Sequence, residues 1–434
     1  MSKIRDMRRY GFLASSIGVA CTAALALAPA LTGGPASAES ASATGSAAVP
    51  GSTQSLPLAP LTRDPDPAHG AALEHGLRRT DVRHFSLVGV VWDDPDTELH
   101  GTVRVRTRSA ATGVWSGWQE VDTHNADHGA DPGTAERTSG HVHGATAPLW
   151  VGNCDGVDVR VRADAGSRGP AAQPVPLPSG LRLELVDPGT RPPARGTVTG
   201  AARAGESSAG ASAADAALAP PGGEPTDQRR AQSHVGPRPG IVTRRGWGAD
   251  ESLRERGFVY TKKVKVAFVH HTASGNNYSC AQAPAVIRGI YRYHVKSMGW
   301  RDLGYNFLID KCGKIYEGRA GGVAKPVLGA HTMGFNSDSA GIAVVGTYRT
   351  SKPSSAAVTA VARLTAWKLG LYGMNPRGKT YLTSGGGNLY QKGKSVRLNV
   401  ISGHRDGFAT DCPGQRLYGK LGTARSAAAR YQGR

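Results

Sequence analysis

Residues 188–240 divide this chain in two. Most of that stretch reads "RPPARGTVTGAARAGESSAGASAADAALAPPGGEP". Proline, glycine, alanine and serine without a hydrophobic period bury too little apolar surface to offset the entropy of ordering. The segment is expected to be an interdomain linker, flexible and open to proteases. A chain of 434 residues is too long for one ordinary core, and this segment marks where two cores separate.

The N-terminus accounts for part of the length. Lys3, Arg5, Arg8 and Arg9 precede an apolar run over 12–31, and Ala36, Ser37 and Ala38 follow. A basic start, an apolar middle and small residues at a cleavage point predict a signal peptide over 1–38. The protein is expected to be secreted or wall-associated, with the choice between the Sec and twin-arginine routes left open. Residues 39–79, rich in alanine, serine, proline and glycine, are expected to be a disordered lead-in. Cys21 leaves with the signal, so Cys154, Cys280, Cys312 and Cys412 remain. So few cysteines leave stability to ordinary cores.

The net charge of +19 is spread along the chain. No basic run is interleaved with aromatics, so nucleic acid is not an expected partner. Outside a cell the matching surfaces are anionic wall polymers or lipid headgroups.

From 80 to 187 the pattern is β. "RHFSLVGVVWDD", "TVRVRTRS", "GVWSGWQEVD", "VDVRVRAD" and "LRLELVD" alternate or run apolar between turn residues, which predicts a small β-sandwich. From 241 to 434 strands mix with helices. "VKVAFVHHT" (264–272) and "AGIAVVGTY" (340–348) read as buried strands, and "YNFLIDKCGKIYEG" (305–318) reads as a hairpin turning at Cys312 and Gly313. Residues 281–297 and 354–373 carry helical periods, with Pro284 in the first turn of the former. The second domain is therefore expected to be α/β with a central mixed sheet flanked by helices.

"SGHRDGFATDCPG" (402–414) places His404 eight residues before Cys412. A catalytic zinc takes three protein ligands and keeps one position for water, and a strand end is a rigid place for the third donor. "FVHHT" offers His270 and His271 there, on opposite faces by strand alternation, so one of them at most is a ligand. Other features compete. "GNCDG" (152–156) has the outline of a nucleophile elbow without a following helix. His124, His128, His141 and His143 share a polar loop with several aspartates and could catch a metal, though a solvated loop is the favoured reading. Trp115 and Trp118 in "WSGW" suit either a sugar platform or a sandwich core, the core being favoured.

Taken together, "RRGWGA" (244–249), "FVHHTA" (268–273), "WRDLGYNFLID" (300–310), "KIYEGR" (314–319), "GAHTMGFNSDSAGIAVVG" (329–346) and "SGHRDGFATDCPG" resemble the peptidoglycan recognition protein family and its zinc amidase relatives. The resemblance covers nearly the whole second domain and none of the first. It implies that His270, His404 and Cys412 bind Zn2+, and that His271 faces the core or supports the site. Tyr305 falls at the family's catalytic tyrosine, and Thr410 at a position carrying Lys or Thr in catalytic members. His331 and Asn336, with Trp300 and Arg319, are implied to bind substrate. Ala320 and Gly321 follow "EGR" where eukaryotic members usually have Gly-Trp, so the preferred third stem-peptide residue stays open.

The implied function is an N-acetylmuramoyl-L-alanine amidase, a zinc hydrolase cutting the amide between N-acetylmuramic acid and L-alanine in bacterial peptidoglycan. The alternative is a non-catalytic muropeptide-binding protein, whose relatives usually lack the ligand cysteine; a third reading is a structural wall protein with an accessory amidase. With Cys412 reserved for metal, Cys280 and Cys312 are expected to form a disulfide and Cys154 to stay unpaired. The protein is expected to act as a monomer on peptidoglycan, with anionic wall polymers as a further partner.

Overall fold

Valine alternating with arginine along 103–106 gives a strand with one greasy and one charged face, and residues 157–162, which pair with it, share that pattern. The computed structural model describes residues 50–61, 74–123, 127–164, 175–190 and 234–434. The signal expected at 1–38 and most of the linker, 191–233, lie outside the described residues.

The first domain holds β1 (Ser52–Pro57), β2 (Ala59–Pro60), β3 (Glu74–Arg79), β4 (Phe85–Trp92), β5 (Gly101–Ser109), β6 (Gln119–Val121), β7 (Gly144–Ala145), β8 (Leu149–Ala163) and β9 (Arg182–Asp187). The long β8 joins its layers. Its first half pairs with β4, and its second half pairs with β3 on one side and β5 on the other. Val88, Val90, Val103, Val105, Val159, Val161, Leu183 and Leu185 fill the core between them.

The lead-in expected to be disordered over 39–79 is corrected here, because it contributes β1 to β3. β1 pairs with β9 from Ser52↔Asp187 to Pro57↔Arg182, and Leu58 is buried in the core. Partners far along the chain supply the burial that local composition lacks. The linker also ends earlier than 240: Gly236 N donates to Ala366 O at 3.4 Å, and His234 Nδ1 lies 3.1 Å from Gln432 O.

The second domain contains β10 (Ile241–Val242), α1 (Arg244–Trp247), β11 (Val266–His271), α2 (Ala283–Arg292) running into a π-helical turn at Tyr293–Ser297, β12 (Phe307–Ile309), β13 (Ile315–Glu317) and β14 (Ser339–Val344). Then come α3 (Ser355–Gly370), β15 (Lys379–Thr383), β16 (Ser395–Asn399), β17 (Ile401–Gly403), α4 (Gln415–Tyr418) and α5 (Leu421–Tyr431). The main sheet has the order β10-β13-β12-β14-β11-β17, and it is parallel except for the β12–β13 hairpin. α3 starts where the Ser354 hydroxyl accepts from Ala357 N at 3.1 Å, an N-cap. It covers one face through Val358, Val361, Leu364 and Leu369.

The opposite face is shared with the first domain. Leu87, Val91, Ala145, Trp150 and Val186 pack in one cluster with Val286, Ile287, Ile290 and Tyr293. Tyr293 donates its hydroxyl to Thr146 O at 3.1 Å. A Cβ on Gly89 would stand 2.3 Å from that hydroxyl oxygen, so only glycine admits the ring here. The two domains are packed together, not merely tethered.

Candidate metal centre

Register explains why two histidines meet. β11 and β17 run parallel with Val269 opposite Gly403. The next residues, His270 and His404, therefore leave adjacent strands side by side, at the carboxyl ends where open α/β sheets place ligands. Their ring centroids are 4.5 Å apart. His404 opens a 3-10 turn fixed by Gly403 N donating to Asp406 Oδ2 at 2.9 Å. The following loop brings Cys412 Sγ to 3.8 Å from His270 Nδ1. His271 turns away, and its Nδ1 accepts from Tyr348 N at 3.1 Å.

His270 is held from behind. Its Nε2 lies 3.3 Å from His331 Nδ1 and 3.4 Å from Thr332 Oγ1, which leaves Nδ1 toward the cysteine. Gly341 makes room for this support, since a Cβ there would meet His331 Cγ at 2.4 Å.

A fourth member comes from the loop for which solvation was favoured over metal capture. His128, from the first domain's histidine-rich loop, is 8% exposed and joins His270, His404 and Cys412 in a cluster whose ligand atoms lie within 4.8 Å of one another. Solvation is thus the wrong reading for this part of the loop; His124 lies outside the described residues. Asp127 Oδ1 is 2.7 Å from His128 Nδ1, and its Oδ2 is 3.6 Å from His404 Nδ1. The only local hint was the density of histidine and aspartate, because the groups that bury His128 are far away in sequence.

Burial, reinforced by the neighbouring histidines, pushes His270 well below the usual imidazole range. Burial takes His404 down to about 3 against the pull of Asp127. Burial, with Asp127 adding to it, pushes the Cys412 thiol up. Without a cation the three amidase-domain donors are therefore two neutral imidazoles and a thiol. A metal would supply the charge that converts thiol to thiolate.

The residues fit such a metal. Both ring nitrogens of His404 and Nε2 of His128 are buried without a hydrogen-bond partner, a cost of about 1–3 kcal/mol each when nothing ligates them. Imidazoles with one thiolate are a zinc donor set. Tetrahedral zinc spaces its donors roughly 3.3–3.8 Å apart, so the widest pair must close by about 1 Å.

Tyr305 stands beside the cluster, its ring centroid 5.5 Å from His270. Burial, then Cys412 and Asp127, push its hydroxyl well above the usual phenol range, which keeps it protonated. Thr410 Oγ1 accepts from Cys412 N at 3.1 Å and so shapes the loop that carries the thiol.

The four residues implied to bind substrate are all nearly or fully buried: Trp300 4%, Arg319 6%, His331 0% and Asn336 1% exposed. Trp300 stacks on His294 at 4.5 Å and belongs to the shared core. His331 backs His270. Asn336 and Arg319 are engaged by the first domain, through Gly129, Asp131 and Glu136.

Cys280 and Cys312 form a disulfide, and Cys154 is a buried free thiol inside β8. Trp115 and Trp118 do not join the sandwich core. They are half-buried, with Arg78, Arg104, Arg106 and Arg160 stacked against them at 4.9–5.8 Å. Among the described residues no helix is long and apolar enough to cross a membrane.

Both domains match known protein families. Residues 260–415 match the N-acetylmuramoyl-L-alanine amidase family, and residues 38–179 match the Rv3811 N-terminal galactose-binding domain-like family. Peptidoglycan-recognition protein SC2 of Drosophila simulans is 31% identical over 185 residues, 42% of this chain and 85% of the relative. The human N-acetylmuramoyl-L-alanine amidase is 31% identical over 187 residues, 43% of this chain and 28% of the relative. The solved structure of wild-type Drosophila PGRP-LB is 26% identical, with a TM-score of 0.34, covering 42% of this chain and 93% of that one. The chain belongs to the peptidoglycan-recognition protein and N-acetylmuramoyl-L-alanine amidase family, with an all-β galactose-binding-like domain ahead of the amidase domain.

Proposed function

We propose that this protein is a secreted, zinc-dependent N-acetylmuramoyl-L-alanine amidase, hydrolysing the bond between muramic acid and the first L-alanine of bacterial peptidoglycan. The observation that carries this reading is the convergence of His270, His404 and Cys412 beside a buried, protonated Tyr305. Zinc in such a set lowers the pKa of bound water and polarises the scissile carbonyl. His270, His404 and Cys412 would hold it, and His331 would orient His270. The Tyr305 hydroxyl would donate to the oxygen that gains charge as the amide is attacked. Thr410 would position the Cys412 loop, being a poor proton carrier at neutral pH. Arg319 and Asn336 are the polar groups left to meet substrate once the first-domain loop moves. A signal over 1–38 would deliver the protein to the wall, where its positive charge favours anionic polymers.

Muropeptide binding without hydrolysis is the competing reading, and the presence of Cys412 speaks against it. Purified protein incubated with peptidoglycan should release new L-alanine amino termini without new reducing sugar ends. Binding with no such termini, under conditions where zinc is bound, would favour the non-catalytic reading.

A further inference from the structure

Catalytic zinc sites keep one position open, whereas structural sites fill all four. Here the amidase domain supplies three donors, and a residue from another domain stands where the fourth would be. We propose that His128 is the fourth ligand of this metal centre and that its loop, residues 127–136, holds the chain in a closed, latent form. This rests on the zinc reading above.

Two observations point to a ligand. Asp127 Oδ1, 2.7 Å from His128 Nδ1, accepts the proton on that nitrogen and leaves a lone pair on Nε2. A carboxylate fixing the tautomer of a histidine from behind is the usual companion of a metal-bound imidazole. Nε2 itself is buried, within the cluster, and without a hydrogen-bond partner.

The rest of the loop covers the polar groups around the centre. Asn336 Nδ2 donates to Gly129 O at 2.9 Å and to Asp131 Oδ1 at 2.6 Å, and Gly334 N donates to the same carboxylate oxygen at 2.8 Å. Met333 N donates to Asp127 O at 3.1 Å. Glu136 takes both Arg319 amino groups. Within 127–143 no helix or strand forms, so the closed state is held by these pairs and by Ala130 and Val142 in the shared core. The loop can lift while the sheets stay paired, which makes it a gate. A substrate reaching the metal must displace His128, Asp131 and Glu136 together.

The test uses full-length protein with cobalt(II) in place of zinc, since cobalt absorption reports coordination and cysteine ligation. Wild type should give a four-coordinate spectrum that inorganic phosphate does not change. His128→Ala, and His128→Gln as a variant of similar bulk, should change the spectrum, respond to phosphate, and lose zinc affinity by at least about tenfold in chelator competition. Identical spectra and phosphate responses in all three would overturn the fourth ligand while leaving the three-donor centre standing. Wild type that binds neither metal, or His404→Ala that binds as wild type does, would sink the metal centre itself and the proposal with it. Asp131→Asn with Glu136→Gln keeps all four donors and tests the gate. On chelated protein its affinity for a soluble muropeptide should rise roughly tenfold, as for a loop open about a tenth of the time in wild type. Unchanged affinity would refute the latent form.

Discussion

Glu136 and Arg319 form a bidentate pair across the domain boundary, with Oε1 2.8 Å from Nη2 and Oε2 2.9 Å from Nη1. Both side chains are nearly buried, and Arg319 Nε is also committed, donating to Leu303 O at 2.7 Å. Removing one partner of such a pair costs about 3–5 kcal/mol when the other charge stays buried. In Glu136→Ala the loop can avoid that cost by opening to water. Hydrogen exchange should therefore accelerate across 127–143 while β11 and β14 keep their protection. Equal acceleration everywhere would mean that the loop does not move as a separate unit.

Gly341→Ala should injure the centre from behind. The added methyl meets the His331 ring, which must shift, and His331 fixes the Nε2 side of His270. Zinc affinity should fall by about 10–100-fold, the range for losing a supporting partner, with the disulfide and the first domain intact. Metal titration of the variant checks this; unchanged affinity would remove His331 from the account.

Tyr305→Phe takes away one hydroxyl and no metal donor. Zinc content should stay as in wild type while kcat drops by roughly 10²–10³, the scale for one lost oxyanion donor. A variant that lost its zinc would place Tyr305 in the support of the centre instead.

That a histidine of the 270–271 pair, His404 and Cys412 would come together was legible because strand and motif carry them, and the family resemblance singled out His270. "VKVAFVHHT" is a buried run with His270 and His271 at the end of its strand, and His404 and Cys412 lie within one short loop. Helix α3 and the β12–β13 hairpin were legible for the same reason, since their periods and turns are local. β1 and β3 were not, because their burial comes from β9 and β8, far along the chain. His128 could be named as one of four histidines able to catch a metal, but not joined to this cluster: its loop has the composition of a solvated surface, and Arg319, Asn336 and the cluster cover that loop only after both domains fold. Asn336 and Arg319 could be singled out, but their occupation by Gly129, Asp131 and Glu136 could not.

Stability should carry the mark of Lys368. Its Nζ donates to Val323 O and Lys325 O, both at 2.7 Å, and burial brings its pKa from 10.5 down to about 7. Between those values the unfolded chain holds a proton that the folded chain has released, so stability rises with pH across that window. The penalty is complete below about 7 and gone above the ordinary lysine value. Lys368→Met lacks the titrating group. The stability of wild type relative to Lys368→Met should rise between pH 7 and pH 10 by up to about 1.4 kcal/mol per unit. A difference that stays flat in denaturant unfolding would mean that Lys368 keeps its charge when buried.

Chelation and zinc reconstitution, with metal content read beside release of L-alanine amino termini from peptidoglycan, test the central claim most directly. Wild type should hold one zinc per chain, lose hydrolysis on chelation and regain it with zinc. Cys412→Ser should lose metal affinity by orders of magnitude and hydrolysis with it, because a soft, charged donor is gone. Hydrolysis that survives complete removal of zinc, or a Cys412→Ser protein that keeps both zinc and turnover, would contradict the account.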